Sequence, residues 1–129
     1  MVVYFALRRT MNMTARPIEL SVHNAVVLAT APLLMIVPYL LTFSPGIGYL
    51  TFFLGASLMG VSLAGSSPQR PLPLSAQSGF DSAIGIAIFA IGILAGITGQ
   101  AAMTTIFLVG FGAAHLALTA STRYSARGA

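Results

Sequence analysis

The chain has 129 residues, of which 57% are hydrophobic and only 6% charged, with a formal net charge of +4 and no cysteine. That leaves too little polar surface for a soluble domain of this size, and the positive charge is spread over scattered arginines without interleaved aromatics, so no nucleic-acid partner is expected. Disulfides, thiolate metal sites and cysteine nucleophiles are excluded as well, so any chemistry must come from His, Asp, Ser, Thr or Tyr.

Residues 1–15 read as an N-terminal extension. Met1 to Leu7 is too short for the apolar region of a signal peptide, and Arg8 and Arg9 follow it instead of preceding it, so no cleaved signal is expected. Met11 and Met13 offer alternative starts. Four apolar stretches come next, at about 20–43, 47–65, 80–97 and 101–119, each of the length a helix needs to cross a bilayer. The reading is an all-α membrane protein with four transmembrane helices arranged as two tandem helical hairpins, at 16–67 and 68–121, followed by a C-terminal tail at 122–129. Pro17, Pro71 and Pro73 sit where helices begin, and Ser21, Ser75 and Ser78 are available N-caps. Pro32 and Pro38 fall inside the first span, where they are expected to kink it and free a carbonyl. Pro45-Gly46 and Gly99 are expected to make tight outer turns.

The basic residues Arg8, Arg9, Arg16, Arg70, Arg123 and Arg127 occupy three segments: the N-terminus, the middle loop and the C-terminus. Four crossings put those segments on one face, and the loops at 44–46 and 98–100 on the other face are uncharged. The positive-inside rule therefore places both termini in the cytoplasm, with the lipid bilayer as the first partner.

Sliding the sequence by 54 positions aligns Arg16-Pro17-Ile18-Glu19-Leu20-Ser21 with Arg70-Pro71-Leu72-Pro73-Leu74-Ser75, identical at four of six positions. The same offset pairs Thr51 with Thr105 and Phe53 with Phe107, and it brings the two outer turns together. This predicts a duplicated hairpin whose copies enter from the same side, related by a parallel pseudo-twofold axis along the membrane normal. Val37-Pro38-Tyr39, then Leu40-Leu41-Thr42-Phe43, a short turn and a second span with Gly55 and Gly60 resemble the SPW-repeat family of small bacterial membrane proteins. The likeness covers about residues 16–121. It departs at Ile91-Gly92-Ile93, where the second copy has lost the motif, and there is no Trp anywhere. What the resemblance implies is an inner-membrane protein without established catalytic activity.

Asp81 is the one acidic residue inside an apolar span, and such a carboxylate is a functional-site hypothesis. Two readings stand beside each other. Ser78-Gly79-Phe80-Asp81 has the spacing of a capping box, in which Asp81 satisfies amides of the first helical turn. Alternatively, a hairpin turning at Gly99 brings His115 within one turn of the Asp81 level, so that the two hydrogen-bond and, with His23, form an intramembrane polar cluster able to pass a proton or hold a cation. Each histidine also has the simpler reading of an interhelical hydrogen-bonding residue. Glu19 reads as a surface ion-pair partner of Arg16 or as a helix-start carboxylate. The small residues Ala56, Gly60 and Ala64, Gly92 and Gly96, and Gly110 and Ala114 make close-packing faces, expected mainly within the bundle. Phe43, Tyr49, Phe52 and Phe53, with Tyr39 a turn deeper, read as interfacial anchors.

No catalytic, cofactor or metal motif occurs in the chain. The expected function is that of a non-enzymatic structural, accessory or interaction subunit of the membrane, in a homo-oligomer or with a membrane-complex partner. The alternative is a small proton- or cation-linked transporter or channel subunit using Asp81 with His115 or His23.

Overall fold

The computed structural model describes residues 2–3, 16–69 and 71–125. Arg8, Arg9, Arg70 and Arg127 lie outside these residues, as does most of the expected N-terminal extension. Within the described residues, a two-residue strand β1 (Ile18–Glu19) leads into four long helices: α1 (Leu20–Leu40), α2 (Pro45–Ser66), α3 (Leu74–Ile97) and α4 (Ala102–Ala120). A second short strand, β2 (Thr122–Arg123), follows α4. All four helices are long and apolar enough to cross a membrane. The chain is a multi-pass helical membrane protein.

The helices pack as two neighbouring hairpins, α1 on α2 and α3 on α4, with α2 against α3. Their outward surface is apolar: Val22, Leu33, Ile36, Leu50, Phe53, Ile86, Leu94 and Ile106 are exposed. In water such a surface would be unstable, whereas hydrocarbon accepts it at no cost. With aliphatic side chains free to face lipid, the interior is marked by small and polar residues. Gly55 approaches α1 so closely that an added Cβ would stand 2.7 Å from Leu34 Cβ. Gly112 touches the backbone of α3 at Phe89, and Gly92 touches the backbone of α4 at Val109. The stripes expected to pack within the bundle divide differently, because Gly60 and Gly110 have nothing within 4 Å. Phe43, expected as an interfacial anchor, is instead buried against Phe107.

Both hairpins turn by the same device. At the end of α3, Gln100 N donates to Ala95 O and Gly99 N to Gly96 O, with Gly99 at φ 77°. This is a Schellman motif, which needs a left-handed residue. At the end of α1, Phe43 N donates to Pro38 O, and the left-handed residue is Thr42 at φ 52°. The first outer turn is thus made by Thr42, and Pro45 already belongs to α2, as its first residue, where a missing N–H costs nothing. Thr42 and Gly99 are 57 positions apart, so the outer turns do not coincide at the offset of 54 that aligns the Arg-Pro starts. The difference is absorbed by α3, which has 24 residues against 21 in α1.

Helix α3 begins at Leu74, well before the apolar stretch expected from Phe80, because Ser75, Gln77 and Ser78 continue the helix with Gln77 turned inward. None of these four helices uses a side-chain cap: Ser21 lies inside α1, and Ser75 and Ser78 lie inside α3. Beyond α4 the residues expected as a tail turn back onto the bundle. Ile18 N donates to Ser121 O at 3.0 Å, and the two strands run parallel with Ile18 opposite Thr122 and Glu19 opposite Arg123. This strap ties the entry of α1 to the exit of α4 at one end of the molecule.

Candidate functional site

The interior changes character along its length. Toward the outer turns it is filled by Val27, Ala31, Leu34, Phe43, Leu58, Ile88 and Leu108. Toward the strap it holds His23, Asn24, Gln77, Asp81, His115, Thr119 and Thr122, each buried. Helical periodicity explains the grouping. On α1, His23 and Asn24 continue the buried face of Val27, Ala31 and Leu34. On α3, Gln77, Asp81, Ile84 and Ile88 share one face, and on α4 His115 and Thr119 follow Leu108 and Gly112.

Asp81 lies two turns inside α3, about 10 Å from its start at 1.5 Å per residue. It is therefore not a cap, and the capping-box reading is overturned by the earlier helix start. Its Oδ2 is 3.0 Å from His23 Nε2 and accepts the Tyr124 hydroxyl at 2.7 Å. His23 Nδ1 is 2.9 Å from Thr122 Oγ1, which donates in turn to Leu118 O at 2.6 Å. The expected bond from Asp81 to His115 exists in a different form: His115 Nε2 donates to the backbone carbonyl of Asp81 at 3.0 Å. Gly85, one turn further along α3, makes this possible. A Cβ there would meet His115 Cδ2 at 2.9 Å, so only glycine leaves the imidazole room to reach the helix backbone.

The three residues singled out from sequence are thus neighbours, with the His23 and His115 ring centroids 6.1 Å apart. The carboxylate belongs to His23 rather than His115. Sequence reasoning missed Thr122 and Tyr124, which looked like tail, and the Asn24 and Gln77 pair, joined by a 2.7 Å bond from Gln77 Nε2 to Asn24 Oδ1. A usable signal was present. Gln77 and Asp81 are four residues apart, and His115, Thr119 and Thr122 recur at four and then three, both spacings that hold one helix face.

Tyr124 lies beyond the spanning helices, and its phenol is pushed above its ordinary value first by burial, then by the negative charge of Asp81 and the hydrogen bond it donates there. Glu19 pairs with Arg123 at 3.9 Å instead of Arg16, since the strap sets these two opposite each other. The pair is solvent-exposed on both sides and contributes little.

The chain matches no protein-family model, and no curated protein or solved structure is significantly similar to it.

Chemically, the cluster is a connected set of donors and acceptors. Among the described residues no group of three or more His, Asp or Glu side chains is set to hold a metal ion. Three buried side-chain oxygens at this level have no hydrogen-bond partner among the described residues: Asp81 Oδ1, Gln77 Oε1 and Ser62 Oγ. Beside the cluster, a groove of about 350 Å³ between α1 and α4 is lined by Val26, Thr30, Leu33, Phe111, Ala114 and Leu118, with His115 in its wall.

Proposed function

We propose that this chain is a non-catalytic, multi-pass subunit of a membrane assembly, built from a duplicated helical hairpin and serving a structural, accessory or interaction role. The observation that carries this reading is the destination of the buried polar groups. Asp81 and His23 use their hydrogen bonds to hold α1, α3 and the strap together, and the outer half of the interior is packed with Val27, Ala31, Leu34, Leu58, Ile88 and Leu108. A subunit of this kind needs a fixed shape in lipid more than a passage through it.

Duplication is supported by burial as well as by the Arg-Pro starts. At the 57-position spacing of Thr42 and Gly99, buried Asn24 corresponds to Asp81, Ala31 to Ile88, Pro38 to Ala95, Gly55 to Gly112 and Ser62 to Thr119. The layout shared with SPW-repeat proteins agrees with that origin. In this reading Arg8, Arg9, Arg16, Arg70, Arg123 and Arg127 orient both hairpins, with the termini cytoplasmic in a bacterial inner membrane. Native mass spectrometry from lipid nanodiscs, with crosslinking in native membranes, tests the assembly role. A defined oligomer or a stoichiometric membrane partner is expected. A strictly monomeric species that crosslinks to nothing refutes it.

The alternative, a proton- or cation-linked transporter subunit, is favoured by one observation: Asp81 Oδ1 is buried with no partner among the described residues. Proteoliposome flux separates the two. Flux lost in Asp81→Asn would replace the structural reading; equal flux in both, or none, removes the transport reading.

A further inference from the structure

The hydrogen positions in the cluster can be counted. Thr122 has one hydroxyl hydrogen, and it is directed at Leu118 O, an acceptor with no hydrogen of its own, at 2.6 Å. Toward His23 Nδ1, at 2.9 Å, Thr122 therefore presents a lone pair, and Nδ1 must carry the hydrogen of that contact. On the other side of the ring, Nε2 stands 3.0 Å from Asp81 Oδ2. A neutral imidazole protonated at Nδ1 has only a lone pair at Nε2, and two lone pairs facing at that distance repel.

Tyr124 does not relieve the conflict. Its hydroxyl hydrogen goes to Asp81 Oδ2 at 2.7 Å, and its 3.4 Å approach to Nε2 is much the poorer contact. His115 does not relieve it either, because its Nε2 hydrogen is given to the Asp81 backbone carbonyl. The contact between His23 and Asp81 needs a hydrogen of its own. That hydrogen lies on Nε2, making imidazolium and carboxylate, or on Oδ2, making carboxylic acid and neutral imidazole. Both arrangements hold one proton more than a separate carboxylate and neutral imidazole, and both leave the pair with no net charge.

We propose that Asp81 and His23 form a buried one-proton binding site within the membrane-spanning bundle, occupied in the folded state. Burial favours it, since an uncompensated carboxylate at this depth carries a large desolvation cost and the shared proton removes the net charge. Among the described residues, the titratable and charged neighbours are His115 on α4, Tyr124 after β2, and Arg16 before β1, which acts on Tyr124. Oδ1 has no hydrogen-bond partner among the described residues, so the proton resides on the Oδ2 side, facing His23 and the strap. The site is the same whether the subunit acts structurally or in transport.

Solid-state NMR of the protein in lipid bilayers near neutral pH, with nitrogen-labelled histidine and carboxyl-labelled aspartate, reads the proton directly. The chain has two histidines, and His115→Asn leaves His23 alone for assignment. The expected result is a doubly protonated His23 with an ionised Asp81, or a singly protonated His23 with a protonated Asp81 carboxyl. A singly protonated His23 beside an ionised Asp81 overturns the proposal. In Asp81→Asn the extra proton should vanish, leaving a neutral ring protonated at Nδ1; an imidazolium that persists there also overturns it. The parent spectrum decides alone if either variant does not fold.

Discussion

The close approach of α3 and α4 at Gly112 gives a prediction whose size follows from the coordinates. An alanine Cβ at this position would stand 2.7 Å from Phe89 N, 2.8 Å from Phe89 Cα and 2.9 Å from Phe89 Cβ. Nonbonded carbon atoms rest at about 3.5–4.0 Å, so the contact is short by roughly 1 Å. Two of the three obstructing atoms are backbone atoms of a helix, which no rotamer change can move. The helices must part, and overpacking of this kind costs about 1–3 kcal/mol. At 1.4 kcal/mol per factor of ten, Gly112→Ala should lower the folded-to-unfolded ratio by about one to two powers of ten. Gly110→Ala, two residues away on the same helix, is the control. Nothing lies within 4 Å of its added Cβ, so this variant should equal or exceed the parent, alanine being the better helix former by about 1 kcal/mol in water. Reversible unfolding in bicelles, followed by helical circular dichroism or steric trapping, measures both. Gly112→Ala at or above the stability of Gly110→Ala would refute the packing argument.

Thr122→Val removes the acceptor for His23 Nδ1 and should cost about 1–3 kcal/mol in the same unfolding assay, while Thr122→Ser should recover most of it; equal loss in both would deny the hydroxyl its role. Thr42→Gly relieves a left-handed backbone at φ 52° and should stabilise by about 1 kcal/mol, whereas Gly99→Ala, at φ 77°, should destabilise by about the same amount. The neutral phenol of Tyr124 is favoured in the fold, so unfolding should release its proton as pH rises past the ordinary phenol value of 10.0, and stability should decline from there upward. Tyr124→Phe should remove that decline, and an unchanged pH slope would contradict the burial of this hydroxyl. Since the chain has no cysteine, single cysteines at Ser125 and at Gln100 report topology; a membrane-impermeant thiol reagent should label them from opposite faces, and labelling from one face would refute four crossings.

The spans were legible because length and apolarity are all that a membrane crossing demands, and three of the four stretches lie within a few residues of the helices that form. The third was read short because Ser75, Gln77 and Ser78 look like loop, although a helix that turns Gln77 toward Asn24 has a use for them. The inward faces were harder to see. A soluble helix advertises its buried side by apolar residues at helical spacing, whereas here both sides are apolar and the buried side differs by its glycines and scattered polar groups. That explains why Gly60 reads as a packing residue from the sequence while Gly55, five residues earlier and pressed against Leu34, does not. Asp81, His23 and His115 were identifiable as a group because charge and imidazole are rare in this chain. Their bonding was not, because it depends on the strap, and the pairing of Ile18 with Thr122 joins segments separated by nearly the whole chain.

Two kinds of contact divide the assembly of the bundle between them. Gly55 seats α2 on α1, and Gly85, Gly92 and Gly112 seat α3 and α4 on each other, so most of the close approaches at glycine lie within hairpins, with Gly65 of α2 against the Gln77 side chain of α3 as the exception. Polar bonds join the two hairpins, His23 to Asp81, Gln77 to Asn24 and Thr122 to His23, while the bond from His115 to the Asp81 carbonyl lies within the second hairpin. The division follows from the solvent. Lipid gives apolar helices no hydrophobic reason to associate, so adjacent helices joined by a short turn rely on close van der Waals packing. Such smooth faces can slide or rotate, and two finished hairpins could meet in several registers of similar energy. Directional bonds between groups that hydrocarbon cannot satisfy select one of them. On that reasoning the cluster belongs where the hairpins meet and where the strap can close it, at the arginine-bearing end.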